Sequence, residues 1–357
     1  MPEIINEKNN LNVLYEKLRK IAGDVFAYCR SNKIKNVCFD PYFISTYNYK
    51  TSEVEKIIET IISSAITSNY FFDDFITDKS RKFFKIDNFY IIYKDQKKIQ
   101  KAIESGSIIG ESINTSRYFS DLPPNKLFPK SFSDKASTIF RNYKNVSVKI
   151  LNKKEIEKLG MNGILSVSEG SQHESKFLIA EYTPKIKSKK TICLVGKGVT
   201  FDSGGISLKP SNAMDDMKRD MAGGASVIAT LSALSKLESP YKVIALVPMV
   251  ENMPSGNSYK VCDILTLYNG TTVEVNNTDA EGRIILGDAL AYASDKYKPD
   301  YIFNMATLTG ACDVALGPFY AATISFNDRL NELFYKAGQE TGDNCWALPI
   351  DERYCDS

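Results

Sequence analysis

A chain of 357 residues has room for two domains or one large one, and a 43% hydrophobic content is ample for a core. The net charge of +2 gives no global electrostatic case for nucleic acid or membrane, and no apolar run reaches transmembrane length. The seven cysteines are scattered without a C-x-x-C pair and the N-terminus lacks a signal-peptide pattern, so a cytoplasmic protein with reduced thiols is expected.

In chain order, residues 11–31 place Leu11, Leu14, Tyr15, Leu18, Ile21 and Ala22 at helical spacing. A short strand is predicted at 36–39, an amphipathic helix at 52–68 and a strand at 89–93. No catalytic signature precedes residue 105, so residues 1–105 read as a small α/β domain with a structural or assembly role. Residues 106–121 read as a linker helix, centred on 108–119, which Leu122-Pro123-Pro124 terminates. From 122 to 357, strands are predicted at 146–151, 176–182, 191–196, 241–247, 273–276, 301–305 and 321–326. Between them fall helices at 131–141, 153–159, 223–236, 284–297 and 330–341. That alternation predicts an α/β fold, with a mostly parallel central sheet flanked by helices on both faces.

The single histidine, His173, excludes an H-E-x-x-H metal site, and its polar surroundings read as a solvated loop. The chemistry gathers instead in polar stretches beside predicted strand ends, where open α/β sheets hold their ligands. Asn276 to Arg283 holds two carboxylates, Asp279 and Glu281, two residues apart. In extended backbone such side chains face the same way and can meet one cation together. The competing reading is a capping box, Thr278-x-x-Glu281, opening a helix. Lys197, between two glycines after an apolar strand, can lose its charge by burial and bind a metal as a neutral amine; alternatively it reaches solvent or pairs with Asp202. Asp220 precedes a predicted helix, where an N-cap is the default. Thr307 to Gly310 follow another strand and offer backbone groups to a substrate. The inventory is Asp202, Asp220, Asp279 and Glu281, with Lys197, Lys209 and Arg283. Such a carboxylate set suits two divalent ions bridged by a water.

These stretches resemble the leucyl (cytosol) aminopeptidases, two-zinc exopeptidases. The matching blocks are GKGVTFDSGGISLKP (196–210), MKRDMAGG (217–224), ENMPSGNSYKVCD (251–263), NNTDAEGR (276–283) and ATLTGA (306–311), in the family's order. The resemblance implies that Lys197, Asp202, Asp220, Asp279 and Glu281 bind two divalent ions. Zn2+ is expected, with Mn2+, Mg2+ or Co2+ as alternatives in one site. It implies that Lys209 binds the substrate carbonyl and stabilises the gem-diolate, and that Arg283 holds a bicarbonate acting as general base. Met217, Asn277, Thr307, Leu308 and Gly310 would contact substrate.

The implied activity is removal of N-terminal residues, leucine-like ones preferred, from peptides by a metal-activated water, in a homo-hexamer. The family's catalytic domain continues past the point where this chain stops, and the N-terminal domain is shorter than the family's. Those departures keep open a catalytically impaired scaffold or DNA-binding member. A two-metal phosphoesterase ranks last, because neither a phosphate loop nor a histidine-rich metal set accompanies the carboxylates.

Overall fold

The computed structural model describes residues 10–47 and 49–355. They divide into two compact units, the described residues up to 111 with those from 309 onward, and residues 112–308.

In the first unit, helix α1 (Leu11–Ser31) opens on Asn10, whose side chain accepts from the Val13 N–H. Strand β1 (Asn36–Phe39) and the short α2 (Phe43–Thr46) lead to α3 (Thr51–Ser68), whose Glu53 carboxylate accepts the Lys50 N–H at 2.8 Å. Leu14, Tyr15 and Leu18 of α1 meet Ile57, Ile58, Ile61 and Ile62 of α3 in one buried cluster, each set at helical spacing. Strand β2 (Asn88–Ile91) pairs in parallel with β1. Helix α4 (Gln96–Asp121) is longer than the predicted linker and begins ten residues before it, at Gln96.

The second unit carries α5 (Pro129–Phe140), β3 (Val146–Leu151), α6 (Lys153–Lys158), α7 (Asn162–Ser168), β4 (Lys176–Tyr182), β5 (Thr191–Gly196) and β6 (Gly198–Asp202). It continues with α8 (Ala222–Lys236), β7 (Lys242–Asn252), β8 (Ile264–Thr266), β9 (Thr272–Glu274), α9 (Glu281–Tyr297) and β10 (Tyr301–Met305). The main sheet runs β10-β5-β7-β4-β3, with β6 also on β7. The β10, β5, β7 and β6 pairings are parallel, while β4 pairs antiparallel with both β7 and β3. Strand β7 is buried along nearly its whole length, as a strand covered on both faces must be. One face packs Ile179, Val195, Ile244 and Leu246 against Ile164 of α7 and Ile285 and Ala289 of α9. Helices α5 and α8 pack on the same sheet. The predicted α/β class with flanking helices is the one observed.

The chain ends, in the first unit, with α10 (Ala311–Leu316), β11 (Ala321–Thr323), α11 (Asp328–Thr341) and β12 (Cys345–Ala347), β11 and β12 forming a small parallel pair. Helix α11 is tied to α1 by the Arg19 guanidinium, which donates to the Glu340 carbonyl at 2.6 Å.

Candidate metal centre

The carboxyl ends of β5, β6 and β10 and the start of α9 converge within the second unit. Three main-chain bonds fix that end of the sheet: Lys197 N–H to Met305 O (2.9 Å), Gly224 N–H to Lys197 O (2.7 Å) and Ser203 N–H to Asn252 O (3.0 Å). A side chain at Gly223 has no room, since an added Cβ would stand 2.1 Å from Met305 O. Between Val199 and Asp202 the β6–β7 register shifts, and such an irregularity re-aims side chains at a strand end.

The carboxylates of Asp202, Asp279 and Glu281 offer oxygens that all lie within 4.8 Å of one another. Lys197 Nζ sits 2.8 Å from both Asp220 Oδ1 and Glu281 Oε1, and donates to Thr307 O at 3.1 Å. Lys209 Nζ pairs with Asp202 Oδ2 at 2.8 Å and also contacts Asp279 Oδ1. Four carboxylates and two lysines therefore form one contiguous cluster. Glu281 Oε2 and Asp220 Oδ2 are buried without a hydrogen-bond partner. A buried carboxylate oxygen left unpaired is costly, and hard oxygen donors of this kind fit a divalent cation.

The electrostatics carry the same message. Burial pushes the Asp220 carboxyl up to about 8 against the pull of Lys197, and burial likewise raises Glu281 and Asp279. Burial acts to lower Lys197, but the charges of Asp220 and Glu281 outweigh it, so in the metal-free chain this lysine is held protonated. Without added cations, the two lysines offset part of the negative charge of the four carboxylates.

Several local expectations change. Asp279 and Glu281 do not lie on extended backbone: Thr278–Ala280 is a 3₁₀ turn that runs directly into α9 at Glu281. The capping-box alternative fails too, because Thr278 Oγ1 donates to Gly204 O at 2.6 Å and accepts the Ser207 N–H at 2.8 Å. Asp220 is not an N-cap, since α8 begins at Ala222 with no side-chain cap, and Asp220 Oδ1 accepts instead from Thr307 Oγ1 at 2.8 Å. Lys197 pairs with Asp220 and Glu281 rather than Asp202 or solvent. His173 is half-buried in its loop and stacks on Phe128, with ring centroids 4.3 Å apart.

Of the remaining expected residues, Asn277 accepts the Asp279 N–H at 2.8 Å, which shapes the ligand turn. Met217 opens the short turn before Asp220, and Leu308 is exposed just after Thr307. Arg283 is exposed on the first turn of α9, and Gly310 belongs to the first unit. Among the described residues, no ion pair or side-chain hydrogen bond joins Met217, Leu308 or Arg283 to the cluster.

Gly282 was not singled out from sequence, yet a Cβ there would stand 2.7–2.9 Å from Lys197 Cε, Nζ and Cδ. Its only sequence signal is a glycine between two charged residues at a helix start. Gly204, at φ +87°, occupies the left-handed region that favours glycine and brings its N–H to Asp202 Oδ1 at 3.0 Å.

Residues 114–357 match the model of the cytosol aminopeptidase family's catalytic domain. The chain belongs to that family. It is thereby placed among the metallo-exopeptidase hydrolases, and the acidic cluster described above is a candidate metal site. A protein of Chlorobium limicola named probable cytosol aminopeptidase is 42% identical over 348 residues, which are 94% of this chain and 69% of that one. Its namesake in Chlorobium luteolum is 48% identical over 255 residues, covering 71% of this chain and 50% of the relative. Among solved structures, the bottromycin maturation enzyme BotP in complex with Mn superposes with a TM-score of 0.85 at 27% identity. That match covers 96% of this chain and 71% of BotP's. No helix among the described residues is long and apolar enough to cross a membrane.

Proposed function

We propose that this chain removes the N-terminal residue, leucine-like ones preferred, from peptides. The observation that carries the reading is the convergence of four carboxylates and two lysines with Glu281 Oε2 and Asp220 Oδ2 buried and unpaired. Lys197, Asp202, Asp220, Asp279 and Glu281 would hold two divalent cations. Zn2+ is favoured; the Mn-bound structural relative supports Mn2+ as an occupant. Bound there, the cations would supply Lewis acidity and a water acidic enough to attack near neutral pH.

The chain's own groups account for the rest. Lys197 would give up its proton when cations replace it as the partner of Asp220 and Glu281, and so become a ligand. Lys209 lies nearer the open side, with its side chain 14% exposed against 4% for Lys197. Released from Asp202 and Asp279, it would turn its ammonium to the scissile carbonyl and stabilise the charge that develops on its oxygen. With no histidine in the cluster, a bicarbonate held by exposed Arg283 on the first turn of α9 would accept the proton; a helix N-terminus favours such an anion. Met217, Asn277, Thr307, Leu308 and Gly310 would contact the peptide. The resemblance further supports a hexamer, and the cytosol in the relatives' names supports a cytoplasmic location.

A leucyl-amide assay tests the reading. The purified chain should hydrolyse the substrate, lose activity to a chelator and regain it with Zn2+ or Mn2+, and leave N-acetyl-leucyl amide intact. Hydrolysis that persists through chelation would reject it.

A further inference from the structure

The block 251–263 matched the family's pattern without receiving a role, and its Asn252 stands against the cluster. Asn252 is fully buried at the end of β7, and the parallel register sets it opposite Asp202 of β6. Its amide nitrogen donates to Asp202 Oδ1 at 2.8 Å and to Thr278 O at 3.0 Å. Both partners are acceptors, so this orientation of the amide is the only one that pairs. The first bond holds a ligand on β6. The second holds the turn that delivers Asp279 and Glu281, seventy-odd residues further along. Together with the Gly204 N–H at 3.0 Å, it occupies Asp202 Oδ1 and leaves Oδ2 directed at Lys209.

We infer that Asn252 is a positioning residue for the metal centre: one amide fixes the rotamer of Asp202 and ties it to the Asp279–Glu281 turn, so that the carboxylates meet a cation without reorganising. Tyr259, in the same block, braces the turn from another side, its hydroxyl donating to Thr278 O at 2.7 Å. Groups that orient metal ligands in this way typically contribute ~10–100-fold in metal affinity. The inference rests on the metal reading given above.

The test measures Mn2+ binding to the metal-free chain by calorimetry, alongside thermal unfolding followed by circular dichroism. Asn252→Leu keeps the volume and deletes the donor. Tyr182→Phe is the control, because it removes a buried hydrogen bond of 2.8 Å, to Ser239 O, elsewhere in the same sheet. The expected result is a Kd raised at least ~10-fold in Asn252→Leu and changed less than ~2-fold in Tyr182→Phe, at comparable loss of thermal stability. Should Asn252→Leu fail to fold, Asn252→Ala gives the same reading. Wild-type binding with an unchanged Kd in the folded Asn252 variant overturns the inference alone. Absence of Mn2+ binding by the wild-type chain overturns the metal reading and the inference with it.

Discussion

The two halves of the cluster are built alike and sealed differently. Lys197 lies between Asp220 and Glu281 with all three side chains 6% exposed or less. Lys209 lies between Asp202 and Asp279, and the Asp279 side chain is 31% exposed. A sealed lysine has nowhere to go when a cation arrives, so it must become a ligand or leave the site charged. A lysine at an open edge can swing toward a substrate. On the proposed reading, burial alone would divide the same side-chain chemistry into a ligand and an electrophilic helper.

The first way to break this comparison is to remove one carboxylate from either half. Replacing Asp279 or Glu281 by Ala should lower leucyl-amide hydrolysis by at least ~10³-fold, on the scale of deleting a major stabiliser of transition-state charge. Steady-state kinetics at saturating metal checks this, and near-normal rates in both variants would contradict it.

The second sharpens the difference between the halves. In the metal-free chain, Lys197→Met leaves two buried carboxylates without their cation and should cost ~3–5 kcal/mol in urea unfolding. Lys209→Met should cost ~1 kcal/mol, because water can reach Asp279, while kcat falls sharply. Equal stability losses would mean that burial does not distinguish the lysines.

A gentler probe perturbs only the sealed half. Gly282→Ala puts a methyl group within 3 Å of the Lys197 side chain, and overpacking of this kind costs ~1–3 kcal/mol. The lysine must shift, so cation affinity should fall while the Lys209 side keeps its geometry; a crystal structure of the variant distinguishes the two.

The last probe leaves the active cluster unaltered and concerns a buried carboxylate with no lysine. Asp288 of α9 is fully buried and accepts the Ile164 and Tyr268 N–H groups at 2.9 and 2.8 Å, yet burial still pushes its carboxyl up to about 6. A folded-state value raised above 3.8 means a contribution to stability that is complete below 3.8 and lost as pH rises through about 6. The stability of wild type relative to Asp288→Asn should therefore shrink by up to ~3 kcal/mol from acid to neutral pH. A difference that grows with pH would show that its backbone donors outweigh burial.

What the sequence revealed follows from where the information is local. The strands at 146–151, 176–182, 191–196 and 301–305 were predicted with the observed bounds, because apolar runs mark them. The strand Gly198–Asp202 was missed, since its glycine-rich stretch reads as a loop and only the pairing with β7 makes it a strand. Helix α9 was placed late, at Ile284, because its first turn, Glu281-Gly282-Arg283, carries no apolar residue. The carboxylates and lysines of the cluster were legible as polar residues at strand ends. Which lysine faces which carboxylate was not, because Lys197 and Glu281 are 84 positions apart and meet only through the sheet. Asn252 and Gly282 were invisible for the same reason: an amide and a missing side chain acquire meaning only from what stands beside them.

On the proposed reading, this cluster exchanges its lysine charges for metal ions. The most direct test is calorimetric titration of Zn2+ into the metal-free chain in buffers of differing ionisation enthalpy. Two ions per chain are expected to bind, with protons released as Lys197 and the raised carboxyls become ligands. Binding that Glu281→Gln leaves unchanged in affinity and stoichiometry, or no binding at all, would contradict it.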